Sequence, residues 1–260
     1  MSNLAELFVH SEVDLTRMKE IELMQEPRRR YIIAMTPRSG SSYLCDVLTR
    51  SRRFGLPGEF LNQEFLPNII VRIPGRTPGE YFRNVARVRK TSNGIYGLKA
   101  SWFQFKNFVE ILGNDECLSG YKFIYLTRRN LAAQAVSLYK ATSSSVFHTN
   151  KKHDADAVSK LESLGYDFDE INRWYEHIER QEQGWQEYFR DNRINPCCIS
   201  YEEIDADVQS VVMKIAVYLG VNPSKVTTPS EPSVFAKVSD RRNLEWSCRY
   251  LLERSERNSG

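Results

Sequence analysis

YIIAMTPRSGSSYLCDVLTR, residues 31–50, reads as a strand, a turn and a helix in succession. Residues 31–36 are a short apolar run rich in β-branched side chains, the pattern of a strand buried on both faces. Residues 42–50 can form a helix. Between them stands Pro37-Arg38-Ser39-Gly40-Ser41-Ser42. A glycine-containing loop at a helix N-terminus turns backbone N–H groups toward an anion, and the helix dipole adds to the attraction. An ordinary strand–helix connection would read the same way, so the loop needs a second signal. It is not the nucleotide-hydrolase P-loop, which requires G-x-x-x-x-G-K-[ST]. The first glycine is missing, Ser41 stands where the lysine belongs, and the cation is Arg38, ahead of the glycine. No acidic strand end offers itself to Mg²⁺, so the loop suits a phosphate bound without an obligatory metal.

Working outward, GIYGLK (94–99), YKFIYLT (121–127) and PCCIS (196–200) read as three more buried strands. Helical stretches separate them. The clearest is 169–189, where Ile171, Trp174, Tyr175, Ile178, Trp185 and Phe189 recur at helical intervals. Residues 208–220 form another and end on Gly220, a natural C-cap. Strands alternating with helices give an α/β fold, a parallel sheet flanked by helices on both faces. Ligands in such folds sit at the carboxyl ends of the strands. Residues 142–168 are polar and weakly patterned, a long loop or short helix over the site. Residues 1–30 read as an N-terminal helical extension, with Leu4, Leu7, Phe8, Leu15, Met18, Ile21 and Met24 at helix-like spacing. Residues 31–260 then form a single domain, with no internal repeat and no dividing linker.

Composition narrows the class. The 260 residues are 41% hydrophobic and 27% charged, with a formal net charge of +3, a soluble globular profile with no demand for nucleic acid. Arginines cluster at 28–30, 50–53, 128–129 and 241–242. Most such groups are solvated surface, but arginine is the side chain best shaped for phosphate and sulfate. Five cysteines without a C-x-x-C argue against a metal site or a disulfide framework and for a reducing, cytoplasmic setting. No secretory signal is legible at the N-terminus, and no apolar run is long enough to span a bilayer.

YLTRRNLAAQAVSLY, residues 125–139, supplies the second signal. Arg128 stands at the carboxyl end of an apolar strand. Ser137 lies nine residues on, more than two turns into the following helix at ~1.5 Å per residue. A long Arg128 side chain and the Ser137 hydroxyl can meet on one phosphate. Two anion sites at strand ends of one sheet suit a nucleotide with a 5′ group and a separate 3′ phosphate.

Six blocks in order, PRSGSSYL, GLPGEFL, NGIYGLKASWFQ, TRRNLAAQAVSLY, RQEQGWQEYF and RRNLEWSCRY, span roughly residues 31–250. Together they resemble the sulfotransferases that use 3′-phosphoadenosine-5′-phosphosulfate (PAPS), and within them the mycobacterial trehalose 2-sulfotransferase family. The resemblance implies a P-loop-like α/β fold and a homodimer. It implies that Arg38, Ser39, Gly40, Ser41 and Ser42 hold the 5′-phosphosulfate, that Arg128 and Ser137 hold the 3′ phosphate, and that Arg242 lies near that phosphate or the adenosine. The family's G-x-P-x-E-F-F motif, whose glutamate is the base, reads Gly55-Leu56-Pro57-Gly58-Glu59-Phe60-Leu61 here. One departure matters: Leu56 replaces an acidic residue that helps hold the sugar, and an apolar side chain accepts no hydrogen bond from a sugar hydroxyl.

The expected function is therefore transfer of a sulfuryl group from PAPS to a hydroxyl of a small acceptor, a carbohydrate, glycolipid or other alcohol, with no metal. Glu59 is the candidate base, and desolvation between Pro57 and Phe60 would raise its pKa toward neutrality. Arg38 is the candidate to stabilise charge on the leaving phosphate. Lys99 touches the sulfuryl group or the acceptor, or else pairs with a carboxylate. Trp102, Phe103 and Phe105 line an acceptor pocket or belong to the core, while Trp174, Trp185 and Trp246 read as core. His10, His148, His153 and His177 show no partner pattern and read as surface. The competing readings are a P-loop-type small-molecule kinase, disfavoured by the missing G-K-[ST], and a non-catalytic nucleotide-binding protein.

Overall fold

The computed structural model describes residues 6–10, 13–113, 116–147, 155–229, 233, 235 and 241–259. Leu4, His148, His153 and the His10 side chain lie outside the described residues, as does the middle of the 142–168 segment. The chain opens with two short helices, α1 (Glu6–His10) and α2 (Leu15–Glu22), before strand β1 (Arg29–Met35) and helices α3 (Ser41–Arg50), α4 (Leu66–Arg72) and α5 (Pro78–Arg89). Strand β2 (Ile95–Ser101) leads directly into α6 (Trp102–Leu112), and β3 (Tyr121–Thr127) is followed by α7 (Leu131–Ser144), α8 (Ala155–Ser163) and α9 (Phe168–Asp191). Strand β4 (Cys197–Ser200), α10 (Tyr201–Leu219) and α11 (Arg241–Ser259) complete it.

The four strands are all parallel, in the order β2-β1-β3-β4. β1 begins two residues before the apolar run, because Arg29 and Arg30 pair in register with Ile95 and Tyr96 of β2. Beyond them five residues in succession are buried, as a central parallel strand requires. Alternate side chains feed two cores. Ile32 and Ala34 pack with Leu98, Phe123, Phe105 and Trp185 beneath α5, α6 and α9. Tyr31, Ile33 and Met35 pack with Ile124, Leu126, Leu44 and Ile215 beneath α3 and α10. Helices therefore cover both faces, as the alternation predicts. At roughly 1.5–3 kcal/mol for each large apolar side chain fully buried, these two layers fix the sheet.

Gly97 shows how closely the layers fit. A Cβ there would fall 2.1 Å from the Tyr31 ring, whose hydroxyl donates to the Phe54 carbonyl at 2.7 Å. A third cluster joins α7 to α9 and α11 through Val136, Ile171, Ile178 and Tyr250. Trp185 is fully buried, whereas Trp174 and Trp246 are half-buried at this cluster's rim. His177 is half-buried too, against Phe103 and Trp174 with ring centroids 5.2 and 5.4 Å away, so it is not the surface residue its lack of partners suggested.

The expected helix at 208–220 starts earlier, at Tyr201. Asp207 breaks it with φ −158° and ψ 89°, and its carboxylate accepts from the Ser210 N–H. It thus acts as an internal N-cap, which explains why the regular pattern begins at 208. Gly220 ends the helix with φ +69°. At the N-terminus, Phe8, Met18 and Ile21 are buried, and the Phe8 and Tyr81 ring centroids lie 5.6 Å apart.

This topology sets out the carboxyl edge of the sheet. Met35 faces Ser101 on one side and Leu126 on the other, and Thr127 faces Ser200. Four chain segments therefore leave side by side: Trp102 after β2, the 36–40 loop after β1, Arg128 after β3 and Tyr201 after β4.

Candidate active site

The loop after β1 has two left-handed residues, Arg38 (φ +66°) and Gly40 (φ +84°). Gly40 is the N-cap of α3, and no side chain caps that helix. The first N–H groups of α3 thus have no acceptor within the helix. Glycine is required at 40 twice over, since a Cβ there would also fall 2.7 Å from Cδ2 of Tyr201. The Ser39 hydroxyl is buried with no hydrogen-bond partner among the described residues. Gln134 on α7 fixes the start of the loop: its Nε2 donates to Thr36 Oγ1 at 2.8 Å and to the Pro37 carbonyl at 2.7 Å.

The loop after β3 closes on the same space. Arg38 Nε donates to Ser137 Oγ at 3.1 Å, and its Nη1 donates to the Phe147 carbonyl at 2.6 Å. Arg128 Nη1 reaches the Arg38 carbonyl at 3.4 Å, and its guanidinium lies over the Tyr201 ring, 4.6 Å from the centroid. Arg128 Nε is buried without a hydrogen-bond partner among the described residues. Burial lowers the pKa of both arginines, and the neighbouring Arg128 charge lowers that of Arg38 further. Two partly desolvated cations side by side, an unpartnered buried hydroxyl and an uncapped helix make a site whose polarity an anion completes. The segment leading out of α7 thus reaches the site through the Phe147 carbonyl.

The third component comes from the 55–61 turn and β2. The Lys99 N–H donates to the Gly58 carbonyl at 3.0 Å, which sets Glu59 beside the end of the strand. Lys99 is buried, and its Nζ lies 2.9 Å from Glu59 Oε1 and 2.9 Å from Ser42 Oγ. Of the two alternatives for this lysine, the structure contains the pairing with a carboxylate. The other carboxylate oxygen, Oε2, accepts from Asn62 Nδ2 at 2.9 Å and Gln104 Nε2 at 3.3 Å. The expected rise in the Glu59 pKa is not found. Desolvation does push it up and is the largest single influence. The Lys99 charge and the hydrogen bonds from Lys99, Asn62 and Gln104 together outweigh it and hold the carboxyl below its ordinary value.

The remaining expected residues are dispersed. Trp102 is half-buried and lies flat on Gly184, where a Cβ would come 2.2 Å from the indole nitrogen; its ring centroid is 5.3 Å from that of Trp185. Phe105 is core and Phe103 half-buried. Arg242 donates to the Leu161 and Glu162 carbonyls at the end of α8 and stands over the Trp246 ring at 5.6 Å. Leu56 is half-buried, and its N–H donates to the Arg89 carbonyl at 3.0 Å. Among the described residues, no group of three or more His, Cys, Asp or Glu side chains is placed to hold a metal ion.

Four residues of the site escaped the sequence reading: Asn62, Gln104, Gln134 and Tyr201. Signals existed for three of them. Gln134 stands three residues before Ser137, hence on the same helix face. Tyr201 directly follows the fourth strand, at the ligand edge. Gln104 completes Ser101-x-x-Gln104, a capping box that the structure contains,. Asn62 had no such signal.

Known proteins share this sequence pattern over most of its length. Trehalose 2-sulfotransferase of Mycobacterium tuberculosis (strain ATCC 35801 / TMC 107 / Erdman) is 24% identical over 277 residues, covering 88% of this chain and 97% of the relative. Its namesake from Mycolicibacterium smegmatis (strain ATCC 700084 / mc(2)155) is 24% identical over 272 residues, covering 87% and 96%. Among solved structures, a sulfotransferase from Alicyclobacillus acidocaldarius aligns with a TM-score of 0.45 at 16% identity, over 86% of this chain and 92% of that one. The model of the Stf0 sulphotransferase family matches residues 30–253, from within the first strand into the last helix, and on that match the chain belongs to the Stf0 sulphotransferase family.

Proposed function

We propose that this chain transfers a sulfuryl group from PAPS to a hydroxyl of a small acceptor, with Glu59 as general base. When bound, PAPS supplies the sulfuryl group and departs as adenosine 3′,5′-bisphosphate. The observation that carries the reading is the meeting of Arg38, Ser137 and Arg128 beside the uncapped start of α3. Such a pocket suits a nucleotide with two separate anionic groups. Arg38, Ser39, Gly40, Ser41 and Ser42 take the 5′ end, and Arg38 with the loop N–H groups stabilises charge on the leaving phosphate. Arg128 and Ser137 take the 3′ phosphate; Arg242, bonded to the end of α8, is assigned near that phosphate or the adenosine by the family resemblance alone.

Glu59 is ionised at neutral pH, the state in which a carboxylate can accept the acceptor hydroxyl's proton, a contribution of ~10²–10⁴-fold. Lys99 and Trp102 complete the acceptor side. No metal is needed, because arginines and backbone N–H groups supply the positive charge. The acceptor is a carbohydrate, glycolipid or other alcohol. Leu56 gives a sugar hydroxyl no acceptor atom, which favours a less polar alcohol than trehalose. The same reading has the enzyme working in the cytoplasm as a homodimer, which light scattering on the purified chain tests.

The deciding experiment is calorimetric binding of adenosine 3′,5′-bisphosphate, with AMP and ADP as controls. The wild type should prefer the bisphosphate, and Arg128→Ala should abolish the preference. No preference over AMP or ADP in the wild type would overturn the reading in favour of a kinase or a binding module.

A further inference from the structure

Lys99 connects the two halves of the site. Its ammonium has three N–H groups. One donates to Ser42 Oγ, on the second residue of α3, and one lies 2.9 Å from Glu59 Oε1. Ser42 belongs to the helix start that faces the anion, so Nζ already stands at the edge of the donor position. Glu59 is held by more than this lysine, since Asn62 and Gln104 grip Oε2. Loss of the lysine would therefore free Oε1 without releasing the carboxylate from its place. The oxygen best placed to take the acceptor's proton, Oε1, thus lies against the ammonium.

We propose that Lys99 serves two anions in turn: it occupies Glu59 Oε1 in the free enzyme and passes to the sulfuryl group when the donor binds, so that donor binding unmasks the base. The inference rests on the sulfuryl-transfer reading above and adds an order of events to it. Once unmasked, Oε1 accepts the proton as the acceptor's O–H bond breaks. The acceptor oxygen forms the new O–S bond. The bond from sulfur to the 5′-phosphate oxygen breaks, and its electron pair leaves with adenosine 3′,5′-bisphosphate. Nζ meanwhile keeps Ser42 and needs only a short swing. A further consequence is that acceptor alone finds no competent base, so donor binds productively first.

The test follows Glu59 directly by NMR of the ¹³C-labelled glutamate carboxyls, with Glu59→Gln assigning the signal. Its titration midpoint is measured in the free enzyme, with saturating adenosine 3′,5′-bisphosphate and with saturating PAPS, in each case without acceptor and with binding checked by calorimetry. PAPS should raise the midpoint, and the bisphosphate, which has no sulfuryl group, should raise it less. In Lys99→Met the free enzyme should already show a raised midpoint, and PAPS should move it less than in the wild type. PAPS that binds and leaves the midpoint unmoved, or moves it no more than the bisphosphate does, would overturn the exchange while leaving the sulfotransferase reading intact. PAPS that fails to bind would overturn both. The wild-type comparison of the two nucleotides decides the matter even if Lys99→Met does not fold.

Discussion

Arg38 Nε and Ser137 Oγ lie 3.1 Å apart although 99 residues separate them in the chain. The contact exists because β1 and β3 are hydrogen-bonded neighbours, so the loop after one and the helix after the other share one space. The two proposed anion subsites therefore adjoin at one edge of the sheet. On the proposed reading, Ser137→Ala removes a neutral partner of the 3′ phosphate, whereas Arg128→Ala removes a charged one. A hydrogen bond to a charged group contributes about 1.5–3 kcal/mol. Calorimetry should therefore show adenosine 3′,5′-bisphosphate weakened at least tenfold by Arg128→Ala and less by Ser137→Ala. AMP should be nearly unaffected by either change, and an equal loss for AMP would remove the 3′ phosphate from this subsite.

Gly40→Ala should damage the donor loop. The left-handed φ of +84° costs an L-residue roughly 1–2 kcal/mol, and the new methyl meets Tyr201. The Tyr201 ring has Arg128 stacked over it, so its retreat would displace the second subsite as well. Bisphosphate affinity should fall about tenfold or more while the far-ultraviolet circular dichroism spectrum is unchanged. Wild-type affinity in the variant would show that the loop is not the anion site.

Glu59→Gln keeps the volume and the ability to bond Asn62 or Gln104 but removes the proposed base. Turnover should drop by ~10²–10⁴-fold while donor affinity stays close to wild type. Turnover that survives the substitution takes Glu59 out of the mechanism.

The same carboxylate contributes to stability with a definite sign. Its folded pKa is depressed from the ordinary 4.5. The folded state therefore gains stability from Glu59 above pH 4.5 and loses it as pH falls through the depressed value. Denaturant melts of wild type and Glu59→Gln should differ at about pH 7, and the difference should shrink only as pH falls from about 4.5 through the depressed Glu59 value, where the carboxyl becomes neutral like the amide,. A difference that stays constant across that range would mean that the Lys99 pair does not set the ionisation of Glu59.

Gly184→Ala tests the packing behind the acceptor side. The added Cβ would lie 2.2 Å from the Trp102 indole nitrogen, and Trp185 and Phe105 crowd the same ring at 5.3 and 6.3 Å. Overpacking of this kind costs typically about 1–3 kcal/mol. Urea melts should show a lower midpoint with an unchanged slope. An unshifted midpoint would mean that Trp102 is loosely held and free to move with the acceptor.

The α/β architecture was legible in the apolar runs at 31–36 and 121–127 and in the helical spacing of 169–189, because strand burial and amphipathic periodicity are local properties of the chain. Arg38, Gly40, Arg128 and Ser137 were legible as anion-binding candidates for the same reason: an anion site at a strand–helix junction is written in consecutive residues. Glu59 and Lys99 could be named, but not their relation. Their pairing depends on Gly58 docking beside β2 across 41 residues of chain, measured by the Lys99 N–H to Gly58 carbonyl bond. The sign of the Glu59 pKa shift was decided by that contact and by Asn62 and Gln104. The turn's apolar neighbours pointed the other way, since local sequence reports desolvation but not which charge arrives from a distant strand. Sequence alone determined the elements and the chemistry available at their ends. Strand order alone decided which of those ends meet, and long-range Coulomb and hydrogen-bond partners set the charge state in which they meet.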